Sequence, residues 1–132
     1  MSEENVEIVR KGFEAWNRGD FGAFFDRFAD EYGVLRAAEG WRERFYYGKD
    51  AVRSFYDGYA EKVGGELSVV GDPVDAGDAV IARVRAHPAG EHSRVEADME
   101  FSQVFTFRKG KIVMHEYFWD HQEALEAVGL SE

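Results

Sequence analysis

Apolar residues recur every three to four positions in three stretches of the first half of the chain, which is typical of amphipathic helices. The spacing predicts a first helix from Glu3 to Arg18, capped by Ser2. It predicts a second helix over "FGAFFDRFADEY", capped by Asp20, and a third over "KDAVRSFYDGYAEKV", which a glycine pair ends. Between the second and third helices, "GVLRA" and "RFYYG" predict two short strands that flank a loop containing Trp41.

From residue 66 onward the period of the pattern changes to two, which predicts strands. The strands are expected in "ELSVVGDPV", interrupted near Pro73, and in "AVIARVRAH". A long strand follows in "RVEADMEFSQVFTFR", and a "KG" turn leads into "KIVMHEYFW". Asp120 then begins a last helix, "HQEALEAV", which stops at Gly129. Helices followed by a run of antiparallel strands predict an α+β fold, a curved sheet with helices packed on one face.

Length and composition narrow the function classes. The chain has 132 residues, so residues 1–132 are expected to form one domain. Eleven Phe, six Tyr and three Trp supply enough aromatic area to fill a core and to line a cavity. A formal net charge of −10 argues against nucleic acid and against an anionic membrane surface as partners. The absence of cysteine excludes disulfides and thiolate sites. The pattern shows no secretory signal and no membrane span, so a cytoplasmic location is expected.

The stretch "MHEYFWDH" concentrates chemistry-bearing residues at the end of the last strand. Neighbours in a strand point to opposite faces, so His115, Tyr117 and Trp119 share one face while Glu116 lies on the other. His115 and Glu116 therefore cannot reach the same metal ion, and we predict no metal and no cofactor. Asp120 precedes a helix with Glu123 three residues later, which favours a helix cap over a catalytic role. His121, in the first turn of that helix, is expected to be exposed.

Two polar residues on the predicted inner faces of the last two strands are candidates for function. His115 is either a hydrogen-bonded core histidine or a cavity base or donor, because imidazole titrates near neutral pH. Gln103 is the lone polar residue on the face that also carries Phe101 and Phe105, and a buried amide without partners costs about 1–3 kcal/mol. It is therefore expected either to have partners in the core or to face a polar spot in a cavity. The opposite face of that strand is mixed and is expected to face solvent or another subunit.

Three motifs, "AWNRGD", "YGKDAVRSFY" and "GKIVMHEYFWD", occur in an order that resembles the nuclear-transport-factor-2-like superfamily. The closest resemblance is to its SnoaL-like, ketosteroid-isomerase-like group, over nearly the whole chain. The resemblance implies a cone: three N-terminal helices folded over a strongly curved, mostly antiparallel sheet, with a short C-terminal helix and a pocket inside. It also implies a homodimer through the outer face of the sheet. The group includes isomerases, polyketide cyclases, dehydratases, epoxide hydrolases and binding domains without chemistry, so the fold alone does not assign an activity.

Several functional residues of the group do not carry over to this chain. The tyrosine that ketosteroid isomerases place on the first helix falls on Gly12, and their catalytic base falls on Arg36, which cannot accept a proton. Their oxyanion-hole aspartate falls on Gln103, which can still donate a hydrogen bond. His115 matches a histidine of the polyketide cyclases, but the acidic residue two places later is Tyr117 here. The two aspartates bridged by arginine of the epoxide hydrolases have no convincing match, since Asp98 lies on the outward face.

What remains is a predicted pocket for a hydrophobic, oxygenated small molecule. His115 is the candidate acid or base, with Tyr56, Tyr117 and Gln103 as hydrogen-bond donors. The expected ligand contacts are Trp16, Phe28, Arg36, Met99, Phe101, Tyr117 and Trp119.

Arg36 has two alternative roles. At the rim or floor of the pocket it would suit a carboxylate or enolate oxygen of the ligand. Equally, it can form a salt bridge to a nearby acid such as Glu39 or Glu43.

Three functions remain open at the level of the sequence. The first is an enzyme of the isomerase, cyclase or lyase type that uses proton transfer. The second is a non-catalytic ligand-binding domain, which the departures at Gly12, Arg36 and Tyr117 favour. The third is a dimeric interaction module with a filled core.

Overall fold

Three helices and seven strands make up the described part of the chain. The computed structural model describes residues 2–20, 34–37, 45–62, 66–87 and 99–130. The helices are α1 (Ser2–Asn17), α2 (Lys49–Lys62) and α3 (His121–Ala127). The predicted second helix, over residues 21–32, and the loop containing Trp41 lie outside the described residues. None of the described helices combines the length and the apolar character needed to cross a bilayer.

The strands form one mixed, mostly antiparallel sheet. Their bounds are β1 (Val34–Arg36), β2 (Phe45–Tyr47), β3 (Glu66–Val69), β4 (Val74–Asp75), β5 (Ala79–His87), β6 (Met99–Arg108) and β7 (Lys111–Phe118). The order across the sheet is β2-β1-β7-β6-β5-β3, with β4 paired to β5. Only the β1–β7 pairing is parallel among the described pairs, and it places Leu35 beside His115. The α+β prediction is confirmed, and the described strands match those expected from the period of two.

The motif "AWNRGD" has a structural explanation at the end of α1. Asn17 donates from Nδ2 to the carbonyl oxygen of Leu67 and accepts the amide of Leu67 at Oδ1, both at 2.9 Å. Its side chain thus replaces a neighbouring strand for β3, which is an edge strand. Gly19 has a φ of 83°, a left-handed conformation that ends the helix and is accessible mainly to glycine. Trp16, immediately before Asn17, is buried in the core.

The β6–β7 hairpin contains the irregularity that sets which side chains face inward. Its turn consists of Lys109 and Gly110, whose φ values are both positive, as a type I′ turn requires. Thr106 lies opposite Met114, whereas Phe107 lies opposite Ile112, so β7 accommodates one extra residue in a bulge. Because of the bulge, Ile112 and His115 both face the core although they are three positions apart.

The two faces of the sheet are both partly covered, but by different elements. Residues of α1 and α2 pack with the inner face in a large aromatic core that includes Phe13, Tyr56 and Phe105. On the outer face, Ala124 of α3 packs with Ile81 and Val104 in a second cluster. The expectation that the outer side of β6 meets solvent or another subunit is therefore wrong for Ser102 and Val104, which are 1% and 0% exposed. The chain's own last helix covers them.

Candidate functional site

Three polar side chains from three different elements form a continuous hydrogen-bonded network in the core. Tyr56 of α2 bonds to Nδ1 of His115 on β7. Nε2 of the same imidazole lies 2.5 Å from Oε1 of Gln103 on β6. All three residues are at most 5% exposed. The helical stripe of α2 and the strand alternation of β6 and β7 bring them together, since each residue lies on the inward side of its element.

The chemistry of the partners determines the tautomer of His115. The Oε1 atom of Gln103 is an acceptor, so Nε2 of the imidazole carries the proton and donates it. In a neutral ring Nδ1 is then an acceptor, and it receives the hydroxyl proton of Tyr56. Burial lowers the pKa of His115 from 6.5 to about 3, because the charged imidazolium loses its hydration in the core. The network is therefore neutral at physiological pH.

The phenols near the network are also held in their neutral form. Burial, followed by the proximity of Tyr117, raises the pKa of Tyr56 well above 10. Burial also raises the pKa of Tyr59 to about 12. The pKa of Tyr117 is raised by burial and, to a smaller extent, by Tyr59. These groups can donate and accept hydrogen bonds, but they do not ionise near neutral pH.

Aromatic rings surround the network on several sides. The ring of Phe105 stacks on the imidazole of His115 with 4.2 Å between centroids and 17° between planes. The ring of Tyr117, two positions further along β7, lies 4.7 Å from the same imidazole, measured between ring centroids. The space enclosed beside the network measures about 10 Å³, roughly the minimum that one water molecule requires. Its walls are Phe13, Trp16, Tyr56, Tyr59, Leu67, Gln103, His115 and Tyr117.

The structure brings together most of the residues that the sequence analysis proposed. Trp16, Tyr56, Gln103, His115 and Tyr117 all border the same enclosed space. Phe101 lies next to it, with its ring centroid 5.5 Å from that of Tyr117. Met99 is half-buried and packs against the same core cluster. Phe28 lies outside the described residues.

Arg36 is not at the network, and the expectation that it borders the pocket is not met. It pairs with Glu116 at 3.1 Å from Nε to Oε2, and its guanidinium lies 4.4 Å from the centre of the Phe118 ring. The parallel register aligns Arg36 with Glu116, on the face opposite His115. Arg36 forms a salt bridge, which was the alternative role predicted from the sequence. Its partner is on a strand 80 positions away rather than at Glu39 or Glu43.

The end of β7 also departs from expectation in two places. Trp119 is 47% exposed and contacts Phe101 edge-on, outside the walls of the enclosed space. His121 is only half-exposed, because its Nδ1 atom lies 2.7 Å from the hydroxyl of buried Ser102. Asp120 does act as the helix cap, and its carboxylate accepts the amide of Gln122 at 3.0 Å. Within the described ranges, no three acidic or histidine side chains lie close enough to share a metal ion.

A larger opening that the sequence analysis did not identify lies along α1. It measures about 470 Å³ and reaches Phe105 and Ile112 on the sheet. Its helical wall includes Gly12 and Ala15, two small buried residues where larger side chains would fill the space. The rest of that wall is mixed, with Ile8 and Val9 beside the charged residues Glu4, Glu7, Lys11 and Arg18. Phe105 borders this opening and also stacks on the imidazole of His115.

Comparison with known proteins identifies the family. The family model of the SnoaL-like domain matches residues 9–115. The crystal structure of TerC co-crystallised with polyporic acid shares 17% identity over 95% of this chain and 98% of that one, with a TM-score of 0.74. An NTF2-like protein of unknown function from Burkholderia pseudomallei shares 19% identity over 96% and 98% of the two chains, with a TM-score of 0.75.

A third structure, assigned as a SnoaL-like polyketide cyclase from Jannaschia sp. CCS1, shares 18% identity over 99% of this chain and 95% of that one, with a TM-score of 0.76. No curated protein matches the chain. At these identities the structural similarities establish the fold, and the family model extends over most of the chain. The chain therefore belongs to the SnoaL-like domain family of the nuclear-transport-factor-2-like superfamily.

Proposed function

We propose that this protein binds a hydrophobic, oxygenated small molecule whose oxygen atom meets Tyr56 at the Tyr56–His115–Gln103 network. The observation that carries the proposal is the network itself, three buried polar side chains within an aromatic core. In proteins generally, replacing all the partners of a buried polar network by apolar side chains of similar shape is often neutral or stabilising. A network that adds little stability is expected where it contacts a ligand, and few polar groups in an apolar wall are typical of small-molecule sites.

The pKa values favour polarisation of the ligand over abstraction of a proton by His115. A general base works best when its pKa lies near the working pH, and that of His115 is about 3. A neutral imidazole can instead hold the hydroxyl of Tyr56 in place, and the phenol can then exchange its hydrogen bond with a ligand carbonyl or hydroxyl. Proton transfer of the isomerase, cyclase or lyase type would proceed at this oxygen, with Tyr56 as the donor and Gln103 positioning the imidazole.

Ligand entry requires movement of the rings that enclose the network. A space of about 10 Å³ admits one water molecule, not an organic ligand. Tyr117 and Trp16 are the most exposed rings of that wall, at 8% and 7%. Rotation of these two side chains is therefore the expected route by which a ligand reaches Tyr56.

The second candidate function is ligand binding without chemistry. It is favoured by the neutral state of the network, which offers hydrogen bonds but no group that titrates near pH 7. Turnover and binding are separated by following the bound ligand over time, because an unchanged ligand indicates a carrier or sensor.

The test uses polyporic acid, with which TerC was co-crystallised, together with a set of aromatic hydroxyketones as probes. Calorimetric titration of the protein is expected to detect at least one binder. Tyr56→Phe should weaken its binding about tenfold or more, the equivalent of one buried hydrogen bond. Tyr47→Phe, at a 68% exposed tyrosine on β2, is the matched control and should leave affinity unchanged. A binder whose affinity is equal in both variants would contradict the proposed site.

A further inference from the structure

A second cluster of polar side chains borders a separate cleft on the outer side of the sheet. The cleft measures about 170 Å³ and lies where β7 meets α3. Its lining residues are Arg83, Glu100, Phe101, Ser102, Trp119, Asp120 and His121. None of these residues belongs to the Tyr56–His115–Gln103 network, so the cleft stands independently of the function proposed above.

Ser102 and His121 in this cleft have the geometry of a nucleophile and its base. The distance from Oγ of Ser102 to Nδ1 of His121 is 2.7 Å, within the range in which an imidazole can accept the hydroxyl proton. Ser102 is only 1% exposed and borders the cleft, so an ester or a water molecule would approach its hydroxyl through the cleft. No hydrogen bond to Nε2 of His121 is present among the described residues.

The chain contains a second serine–histidine pair that provides an internal comparison. Oγ of Ser68 lies 3.0 Å from Nε2 of His87, at the exposed edge formed by β3 and β5. That pair has a similar distance but borders none of the cavities described above. The two pairs therefore differ in their surroundings rather than in their chemistry.

We propose that Ser102 is an acylation site at which His121 acts as general base toward small neutral esters. The hydroxyl proton of Ser102 moves to Nδ1 of His121 as Oγ forms a bond to the ester carbonyl carbon. The ester C–O bond then breaks, and the leaving oxygen takes the proton from the imidazolium. Water hydrolyses the acyl-serine in a second step and releases the carboxylic acid, so no other reactant is required.

The lining of the cleft determines the class of substrate. Arg83 bonds to Glu100 through Nε at 2.7 Å, which leaves its terminal nitrogens as donors for the developing oxyanion. Asp120 also lines the cleft, with its carboxylate bonded to the amide of Gln122 at the helix cap. Because Arg83 and Arg85 are balanced by Glu100 and Asp120, a neutral acyl group fits better than an anionic one. A volume of 170 Å³ is below the range of drug-sized pockets, so the acyl group has only a few carbon atoms.

The experiment is acetylation of the intact protein by p-nitrophenyl acetate, followed by mass spectrometry and peptide mapping. Release of p-nitrophenolate is recorded at the same time. One acetyl group is expected on Ser102. It should be absent in Ser102→Ala, and its formation should be about 100-fold slower in His121→Gln, as loss of a general base predicts. Ser68→Ala and His87→Gln are the matched controls and should react at the rate of the unmodified chain.

Circular dichroism of each variant confirms that it is folded before its rate is compared. The proposal is overturned if Ser102 carries no acetyl group under conditions that acetylate surface lysines and Ser102→Ala releases p-nitrophenolate as fast as the unmodified protein. It is also overturned if folded His121→Gln reacts as fast as the unmodified protein. Equal acetylation of Ser68 and Ser102 would show that the cleft adds nothing to a simple serine–histidine contact.

Discussion

His115 is the residue whose environment most limits what the site can do. It donates to Gln103, accepts from Tyr56 and stacks on Phe105, so both of its ring nitrogens are engaged and one ring face is covered. A base with these contacts must first lose one of them before it can take a proton from a ligand. The structure therefore favours a positioning role for the imidazole, with Tyr56 as the group that meets the ligand.

Replacing His115 alone should destabilise the protein. His115→Leu removes the imidazole to which Tyr56 and Gln103 both bond, while the two polar groups stay buried. Losing the bond to the imidazole costs about 1–3 kcal/mol for each of the two groups, so a loss of about 2–6 kcal/mol in the free energy of unfolding is expected. Urea denaturation at pH 7 measures it, and a loss below about 1 kcal/mol would indicate that the network is solvated.

The free energy of unfolding should depend on pH because His115 is buried in its neutral form. The pKa of His115 is lowered from 6.5 to about 3 on folding, so between these values the unfolded chain binds a proton that the folded chain does not. Stability therefore falls as the pH drops below 6.5 and continues to fall until about 3. Between pH 7 and pH 5 this group alone removes about 2 kcal/mol.

Denaturation of the unmodified protein and of His115→Leu at both pH values isolates this contribution from that of the carboxylates. The unmodified protein should lose about 2 kcal/mol more than the variant between pH 7 and pH 5. Equal losses in the two proteins would mean that His115 titrates normally in the fold.

At the scale of the elements, sequence patterns predicted the secondary structure of each segment better than the partners against which it packs. Strand alternation on β6 placed Gln103 inward, and the helical stripe on α2 placed Tyr56 inward. The β-bulge that turns Ile112 inward cannot be recognised from the alternation of polar and apolar residues along the strand. The parallel pairing of β1 with β7, which gives Arg36 its partner Glu116, depends on a contact between distant segments. Likewise, an amphipathic pattern on α3 does not specify which face of the sheet it covers.

The contact between α1 and β3 provides a prediction about an element edge. Asn17→Ala leaves the amide and carbonyl of Leu67 without the side chain that now bonds both. Hydrogen exchange at the Leu67 amide should become about tenfold faster or more, corresponding to the loss of roughly 1.4 kcal/mol of local protection. Asn17→Asp is the control, because it retains the acceptor for that amide. Unchanged exchange in Asn17→Ala would show that β3 does not depend on the helix.

At the scale of the whole molecule, the outer face of the sheet is divided into a covered and an open part. Helix α3 covers residues of β5 and β6, whereas Phe45 and Tyr47 on edge strand β2 remain 46% and 68% exposed. Their rings stack 6.0 Å apart with 12° between planes. An unpaired edge strand offers backbone groups for pairing with another chain, and the two exposed rings add apolar area there. We therefore propose that a second copy of the chain packs on β2, giving the homodimer that the family resemblance implies.

Sedimentation velocity should show a dimer that Tyr47→Lys dissociates, because the substitution places a charge within the proposed contact. Tyr47→Phe preserves the aromatic stack and should remain dimeric. If the unmodified protein is a monomer at all concentrations, the proposed interface is contradicted.

The most direct test of the central claim is the stability of a variant in which the whole network is made apolar, Tyr56→Phe/Gln103→Met/His115→Leu. In this variant no member of the network remains as a buried polar group, so the penalty expected for His115→Leu alone should disappear. If the network serves a ligand, urea denaturation should give a free energy of unfolding within about 1 kcal/mol of the unmodified protein, or higher. A loss of about 3 kcal/mol or more would show that the network holds the core together, and it would contradict the proposal that Tyr56, His115 and Gln103 form a binding site.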